Sequence, residues 1–183
     1  DILVVDLFMA SDDETLRSLT GSPWPVTVTV DGVNVCTSLA VLANVASTCT
    51  WTPDHAGTHI AVSTFVPSSA NYDGSSASIS FGVAAKSITV TATVSPASQP
   101  YGSSAPSASF SVSGLVGSDS ITSVTLTFSG TNTATAPTAV GSYSLTPSAA
   151  VFGVGSAADY QIAYSPATYQ VSNGAVSLTL SSS

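Results

Sequence analysis

Charge is what this chain has least of. Only 7% of its 183 residues are Asp, Glu, Lys or Arg, against ~25% in an ordinary soluble domain. One lysine (Lys86) and one arginine (Arg17) stand against ten acids, a formal charge of −8. Such a balance cannot neutralise a run of phosphates or grip an anionic bilayer, which excludes nucleic-acid and phospholipid partners. Histidine is also scarce. His55 and His59 lie four apart beside Asp54, a zinc spacing on a helix, but Gly57 intervenes and His59 opens an expected strand, where four residues span ~13 Å. They do not share an ion. No Gly-x-Ser-x-Gly elbow occurs, and Asp119 and Asp159, the acids after Lys86, do not make the paired carboxylates of a glycosidase. Neither catalysis nor a cofactor or metal is expected.

Cysteine is limited to Cys36 and Cys49, too few for a disulfide-dense scaffold and without the second pair that a zinc ribbon needs. A single structural disulfide is the expected use, worth ~3 kcal/mol for a loop of this length in the chain-entropy account. It implies an oxidising, extracellular setting. No neighbouring cation stabilises a thiolate, so a redox site is not expected. Long apolar runs are missing too. The segment "DILVVDLFMA" is too short to span a bilayer, contains Asp6 and lacks a basic leader, so it reads as neither a signal peptide nor a transmembrane helix.

What remains is a chain of small polar and apolar residues, 44% hydrophobic, long enough for two domains of roughly 90 residues. Eight of the ten acids fall within residues 1–73, a shift that places the boundary near Lys86 and gives domains 1–85 and 86–183. Apolar and small polar residues alternate in "PVTVTV" (25–30), "THIAVSTFV" (58–66), "SASISFGV" (76–83), "SITVTATV" (87–94), "SASFSVSG" (107–114), "ITSVTLTFSG" (121–130), "GSYSLTP" (141–147), "DYQIAYS" (159–165) and "AVSLTL" (175–180). Each reads as a half-buried strand. Turn signals such as Asp31-Gly32 and Asn173-Gly174 separate them, the even punctuation of a sandwich or barrel. One segment departs from this pattern. Ser11 and Glu14 have capping-box spacing and predict a short helix over 12–19. Asp12, Asp13 and Glu14 read as acids at the positive end of that helix, with a calcium site as the alternative.

Residues 25–84 resemble a bacterial Ig-like repeat, through "PVTVTVDGVNV", "AGTHIAVSTF" and "ANYDGSS". Residues 87–173 resemble the MBG repeat of bacterial adhesins. There "ITVTATVSPASQPYGSSAPSASFSVSGLVGSDSI" is similar to the family's opening strand, Tyr-Gly pair and Gly-Leu-Val turn, and "VGSYSLTPS" and "DYQIAYSPATYQVS" to its later strands. The resemblance implies an all-β fold of two tandem domains, an Ig-like sandwich followed by a second β-sandwich or β-grasp-like repeat. The last strand would lead into a following domain.

Within that frame Tyr101 and Gly102 read as a fold marker, a tyrosine ring buried at a sheet corner beside a glycine that permits the turn. Stacking on a sugar is the alternative. Trp24, between two prolines, is either an end plug or a carbohydrate platform, and Tyr72 and Tyr143 join Trp24 and Tyr101 as candidate ligand contacts. Cys49 and Trp51 share one face of a strand, which puts the indole against the sulfur. Lys86 is the one lysine available for an intramolecular isopeptide bond, and its linker position argues against that use. Residues 87–183 contain no lysine to blunt sheet edges, so packed neighbours or O-linked glycans are expected to cover them. The implied function is a non-catalytic stalk or spacer of a secreted or surface-attached adhesin. Its partners would be neighbouring domains of the chain or neighbouring subunits. The alternatives are a self-assembling fibre subunit with residues 1–9 as donor strand, and a glycan-binding module.

Overall fold

The computed structural model describes residues 3–7, 24–41, 47–67, 73–131 and 133–181. The helix expected over 12–19, with Asp12, Asp13 and Glu14, lies outside these residues, as does Tyr72. The chain divides into two compact units, Asp1–Ala84 and Ala85–Ser183. Both are built from β-strands, and no helix among the described residues is long and apolar enough to cross a membrane.

The first unit contains β1 (Leu3–Leu7), β2 (Trp24–Val30), β3 (Val33–Val41), β4 (Ser47–Trp51), β5 (Gly57–Phe65) and β6 (Ser75–Val83). Four of these form an antiparallel sheet in the order β3-β2-β5-β6, and β1 pairs antiparallel with β4. The alternation in β2 sends Val26, Val28 and Val30 into the core, as period two requires of a strand with one covered face. Asp31 and Gly32 both take positive φ, 50° and 81°, and close the β2–β3 hairpin in the manner of a type I′ turn. The Cys36–Cys49 disulfide joins β3 to β4 across a Cα separation of 6.1 Å, so it ties the two-stranded sheet to the four-stranded one. The segment considered as a donor strand pairs within its own chain, from Leu3 opposite Trp51 to Leu7 opposite Ser47.

The second unit contains β7 (Lys86–Ser95), β8 (Ser98–Pro100), β9 (Ser107–Ser113), β10 (Ser120–Phe128), β11 (Gly141–Val154), β12 (Tyr160–Ser165) and β13 (Ala167–Ser172), with one 3-10 turn at Ala157–Asp159. One sheet has the order β12-β7-β9 and the other β10-β11-β13-β8. Ile88, Val90, Ala92 and Val94 alternate inward along β7. Ala92 and Val94 then join Phe128, Leu145, Tyr169 and Val171 from the other sheet in a single cluster, which makes this unit a two-layer sandwich. Phe128 and Tyr169 meet edge to face with ring centroids 5.7 Å apart.

The path of the first and last strands sets the architecture. β7 and β12 run parallel over six residue pairs, from Lys86–Tyr160 to Thr91–Ser165. Each then crosses to the other sheet, β7 through Pro96 and Ala97 into β8, and β12 through Pro166 into β13. There β8 and β13 pair in parallel again, Ser98 with Gln170 through Pro100 with Ser172. In sequence these read as separate short strands; in the structure they are two long strands side by side.

Residues 175–180 do not form the strand that their alternation suggested. Val176, Leu178 and Leu180 are 94%, 87% and 92% exposed and belong to no sheet. A strand needs a neighbour for its backbone groups, and the alternating pattern alone cannot provide one.

Phe128→Ala is expected to cost the second unit about 3–5 kcal/mol through the cavity left between the sheets. Replacing Cys36 and Cys49 by serine should instead lower the stability of the first unit by about 3 kcal/mol. Two-probe thermal unfolding checks both, and a loss in the wrong unit for either variant would contradict the assignment of the cores.

Candidate functional site

Among the described residues no three His, Cys, Asp or Glu side chains come together as a metal-binding group. The ionisable groups that the structure does bring together form closed pairs. His59, on β5, is 6% exposed. Its Nδ1 lies 2.7 Å from Asp31 Oδ2 and its Nε2 3.2 Å from the carbonyl oxygen of His55. Both neighbours are acceptors, so the doubly protonated imidazolium satisfies both contacts. The hydrogen bond to Asp31 raises the His59 pKa above its ordinary value and outweighs the opposing effect of burial. Asp31 is held below the usual carboxylate range, first by the Ile60 backbone N–H, 2.9 Å from Oδ1, and then by His59. The β2–β3 turn aims Asp31 at β5, and Asp31 N–H donates back to the Ile60 carbonyl at 2.9 Å.

The His59 ring completes an aromatic group with Trp51 at 5.2 Å and Phe81 at 5.7 Å. Trp51, expected against the disulfide, packs edge-on to His59 and also to Phe81 at 5.9 Å. The His55 carbonyl, in the bend before β5, meets His59 Nε2, so the spacing of the two histidines serves a local hydrogen bond.

The second closed pair lies where β12 begins. Tyr160, 7% exposed, donates its hydroxyl hydrogen to Asp119 Oδ2 at 2.5 Å and accepts the Val116 N–H at 3.1 Å. Phe152 stacks on its ring at 5.3 Å. Burial, then the bond to Asp119, pushes the phenol pKa up, so the neutral donor form persists. Gly155 makes room for the pair, since a Cβ there would lie 2.4 Å from the Asp119 carboxyl group, and its φ of 87° already disfavours a side chain.

The aromatic candidates separate. Tyr101 is 61% exposed, so the expectation of a buried ring was wrong. The marker works through backbone: Tyr101 N–H donates to the Ser172 carbonyl at 2.8 Å, and Gly102, at φ 90°, turns the chain away. The tyrosine buried beside this turn is Tyr169, whose hydroxyl accepts from Gln99 Nε2 at 2.8 Å, while the same amide nitrogen donates to the Ser104 carbonyl at 2.6 Å. Gln99 thus fastens the loop after Tyr101 to the core, a role that its place in "SQPYG" did not announce. Tyr143 is half-buried and donates its hydroxyl hydrogen to the Ala139 carbonyl at 2.9 Å. Trp24 begins β2. Lys86 begins β7 and is exposed, opposite Tyr160 rather than beside a buried carboxylate.

A cleft beside this loop, lined by Gln99, Gly102, Ser103, Pro137, Thr138 and Tyr169, has a volume of about 30 Å³. That is room for roughly one water molecule, whereas small-molecule sites run to ~300–1,000 Å³.

Comparison with known families follows the same boundary. Residues 88–170 match the family described as MBG domain (YGX type), and Tyr101-Gly102-Ser103 supplies a YGX triplet inside the matched span. The match does not extend to the first unit. MBG domains occur in surface-associated bacterial proteins. Neither the curated proteins nor the solved structures gave a match.

The polar pairs give two testable outcomes. Because the folded-state pKa of His59 is raised, its stabilisation is complete below about pH 6.5 and is lost as the pH rises through the raised value. Because that of Asp31 is lowered, its share is present above about pH 3.8 and is lost as the pH falls through the lowered value. The melting temperature of the first unit should therefore be highest between those limits and decline on the alkaline side, and His59→Gln should flatten that decline. A wild-type profile that is level from pH 5 to 9 would refute the coupling. In the second unit Tyr160→Phe should cost about 1–3 kcal/mol by leaving the Val116 N–H and Asp119 without their partner, read from denaturant midpoints.

Proposed function

We propose that this chain is a stalk or spacer segment of a secreted or surface-attached bacterial adhesin, a non-catalytic element that holds a binding tip away from the cell. The observation that carries this reading is the direction of the second unit's first and last strands. Because β7–β8 and β12–β13 run parallel along their length, the chain enters the unit beside Tyr160 and leaves it beside Pro100, at the opposite end of the paired strands. A module with its two connections at opposite ends adds length to a fibre; one with adjacent connections adds mainly bulk. The family match over residues 88–170 supports the same reading.

The first unit fits as an Ig-like partner in such a stalk. Its two sheets joined by a disulfide are compatible with that reading, which rests on the sequence resemblance of residues 25–84. In the oxidising space outside the cell, the disulfide adds to a core whose buried apolar side chains, among the described residues, include the small Val26, Val28, Val30 and Ala61. The partners are then neighbouring domains of the same protein. The small-residue surface suits O-linked glycans.

Deleting residues 86–173 from the protein in its producing cells tests the function. Adhesion should fall, and an unrelated folded domain of equal end-to-end length inserted in the same place should restore it. If the unrelated domain fails while Tyr101→Ala alone abolishes attachment to a glycan surface, the unit is itself adhesive and the spacer reading is overturned.

A further inference from the structure

We infer that the second unit is built to bear tension along the chain, with the parallel pairing of β7–β8 and β12–β13 acting as a shear clamp. The inference rests on the spacer reading above, because only a segment under pull between two attachments needs such a device.

The argument begins with directions. Tension from the preceding chain pulls Lys86 toward the N-terminal side, and tension from the following chain pulls Ser172 toward the C-terminal side. Lys86 starts one long strand and Ser172 ends the other, and the two strands are parallel neighbours. The pulls therefore slide one strand along the other. In this geometry the hydrogen bonds along the pair are loaded together, whereas pulling two strands apart from one end loads them one at a time. Each bond contributes only about 0.5–1.5 kcal/mol net, so the number that must fail together sets the barrier. Forced unfolding is governed by that barrier rather than by the equilibrium stability.

Three features reinforce the clamp. β7 lies inside its sheet, held by β12 on one side and by seven residue pairs with β9 on the other. β13 is likewise internal, between β11 and β8. The segments that take the pull directly, β7 and β13, are thus internal, and the edge strands β12 and β8 are the partners they slide against. The pairing stops at Thr91–Ser165 and resumes beyond the crossover, where Gln170 N–H donates to the Ala97 carbonyl at 2.9 Å, and it ends at the Tyr101 N–H bond to Ser172. Finally, both ends are pinned by side chains. Tyr160, at the Lys86 end, is bonded to Asp119 and Val116, and Tyr169, near the other end, is bonded to Gln99 and packed on Phe128. The Tyr101-Gly102 pair thus closes the clamp and releases the chain into the next loop.

The test pulls on the same folded protein in two directions. The full chain, its own cysteines already joined, receives attachment cysteines at residues 86 and 173 in one version and at 87 and 115 in the other. The second pair sits where β7 begins and β9 has just ended, the same end of an antiparallel ladder in which Thr89 faces Ser113, so force there opens β7 from β9 pair by pair. With equal melting temperatures before attachment, single-molecule extension should show a high-force unfolding peak through 86 and 173 that is lost through 87 and 115. Tyr160→Phe should lower the peak in the first geometry. Equal forces in both directions would overturn the clamp while leaving the spacer reading to the domain-replacement experiment. A directional peak combined with failed replacement would instead remove the spacer reading and leave the clamp as a property of the fold.

Discussion

The parallel contact between the first and last strands of the second unit is the constraint on which its other features depend. Nothing local encourages it. Lys86 must find Tyr160 across nearly the whole unit, and the entropy of closing that loop has to be offset before the contact returns any energy. The offset comes from the core between the sheets, where Ala92 and Val94 of β7 pack with Tyr169 and Val171 of β13. Crossing from one sheet to the other lets each long strand contribute to both layers. The parallel direction of the pairing puts the two ends of the unit at opposite ends of the paired strands.

Polar chemistry in both units serves the same end. Two of the few acids stand where geometry has to be held. Asp31 joins a hairpin turn to a neighbouring strand through His59 and Ile60, and Asp119 holds the start of β12 through Tyr160. Each group is engaged by its neighbours, and among the described residues no buried side-chain nitrogen or oxygen is left without a hydrogen-bond partner. Asp31 and Asp119 each hold a turn or strand start of their own unit.

Legibility varied along the sequence for physical reasons. β2, β5, β6, β7, β9 and β10 were readable to within about two residues because one face of each alternates. β11 runs on to Val154, well past the expected stretch, because register shifts against β10 and a positive φ at Ala149 bend it without ending it. β13 carries the same alternation in "ATYQVS", yet only the family resemblance suggested it, since Pro166 reads as a break. The Cys36–Cys49 pairing was legible because no other partner exists. The Tyr101 ring was misread: a tyrosine beside a turn glycine suggests a buried corner, but here the turn uses its backbone, and Tyr169, much later in the chain, fills the core.

The sequence by itself determined the β class, most of the strands and turns, the disulfide, and the shortage of groups with which to do chemistry. Those properties are local or compositional: alternation chooses a face, glycine chooses a turn, and two cysteines have one pairing. Tertiary structure alone decided that β7 and β12 are neighbours and parallel, that Asp31 meets His59, and that Tyr160 meets Asp119. An alternating strand specifies which side it buries, but not which strand lies next to it; that choice belongs to the packing of the whole unit.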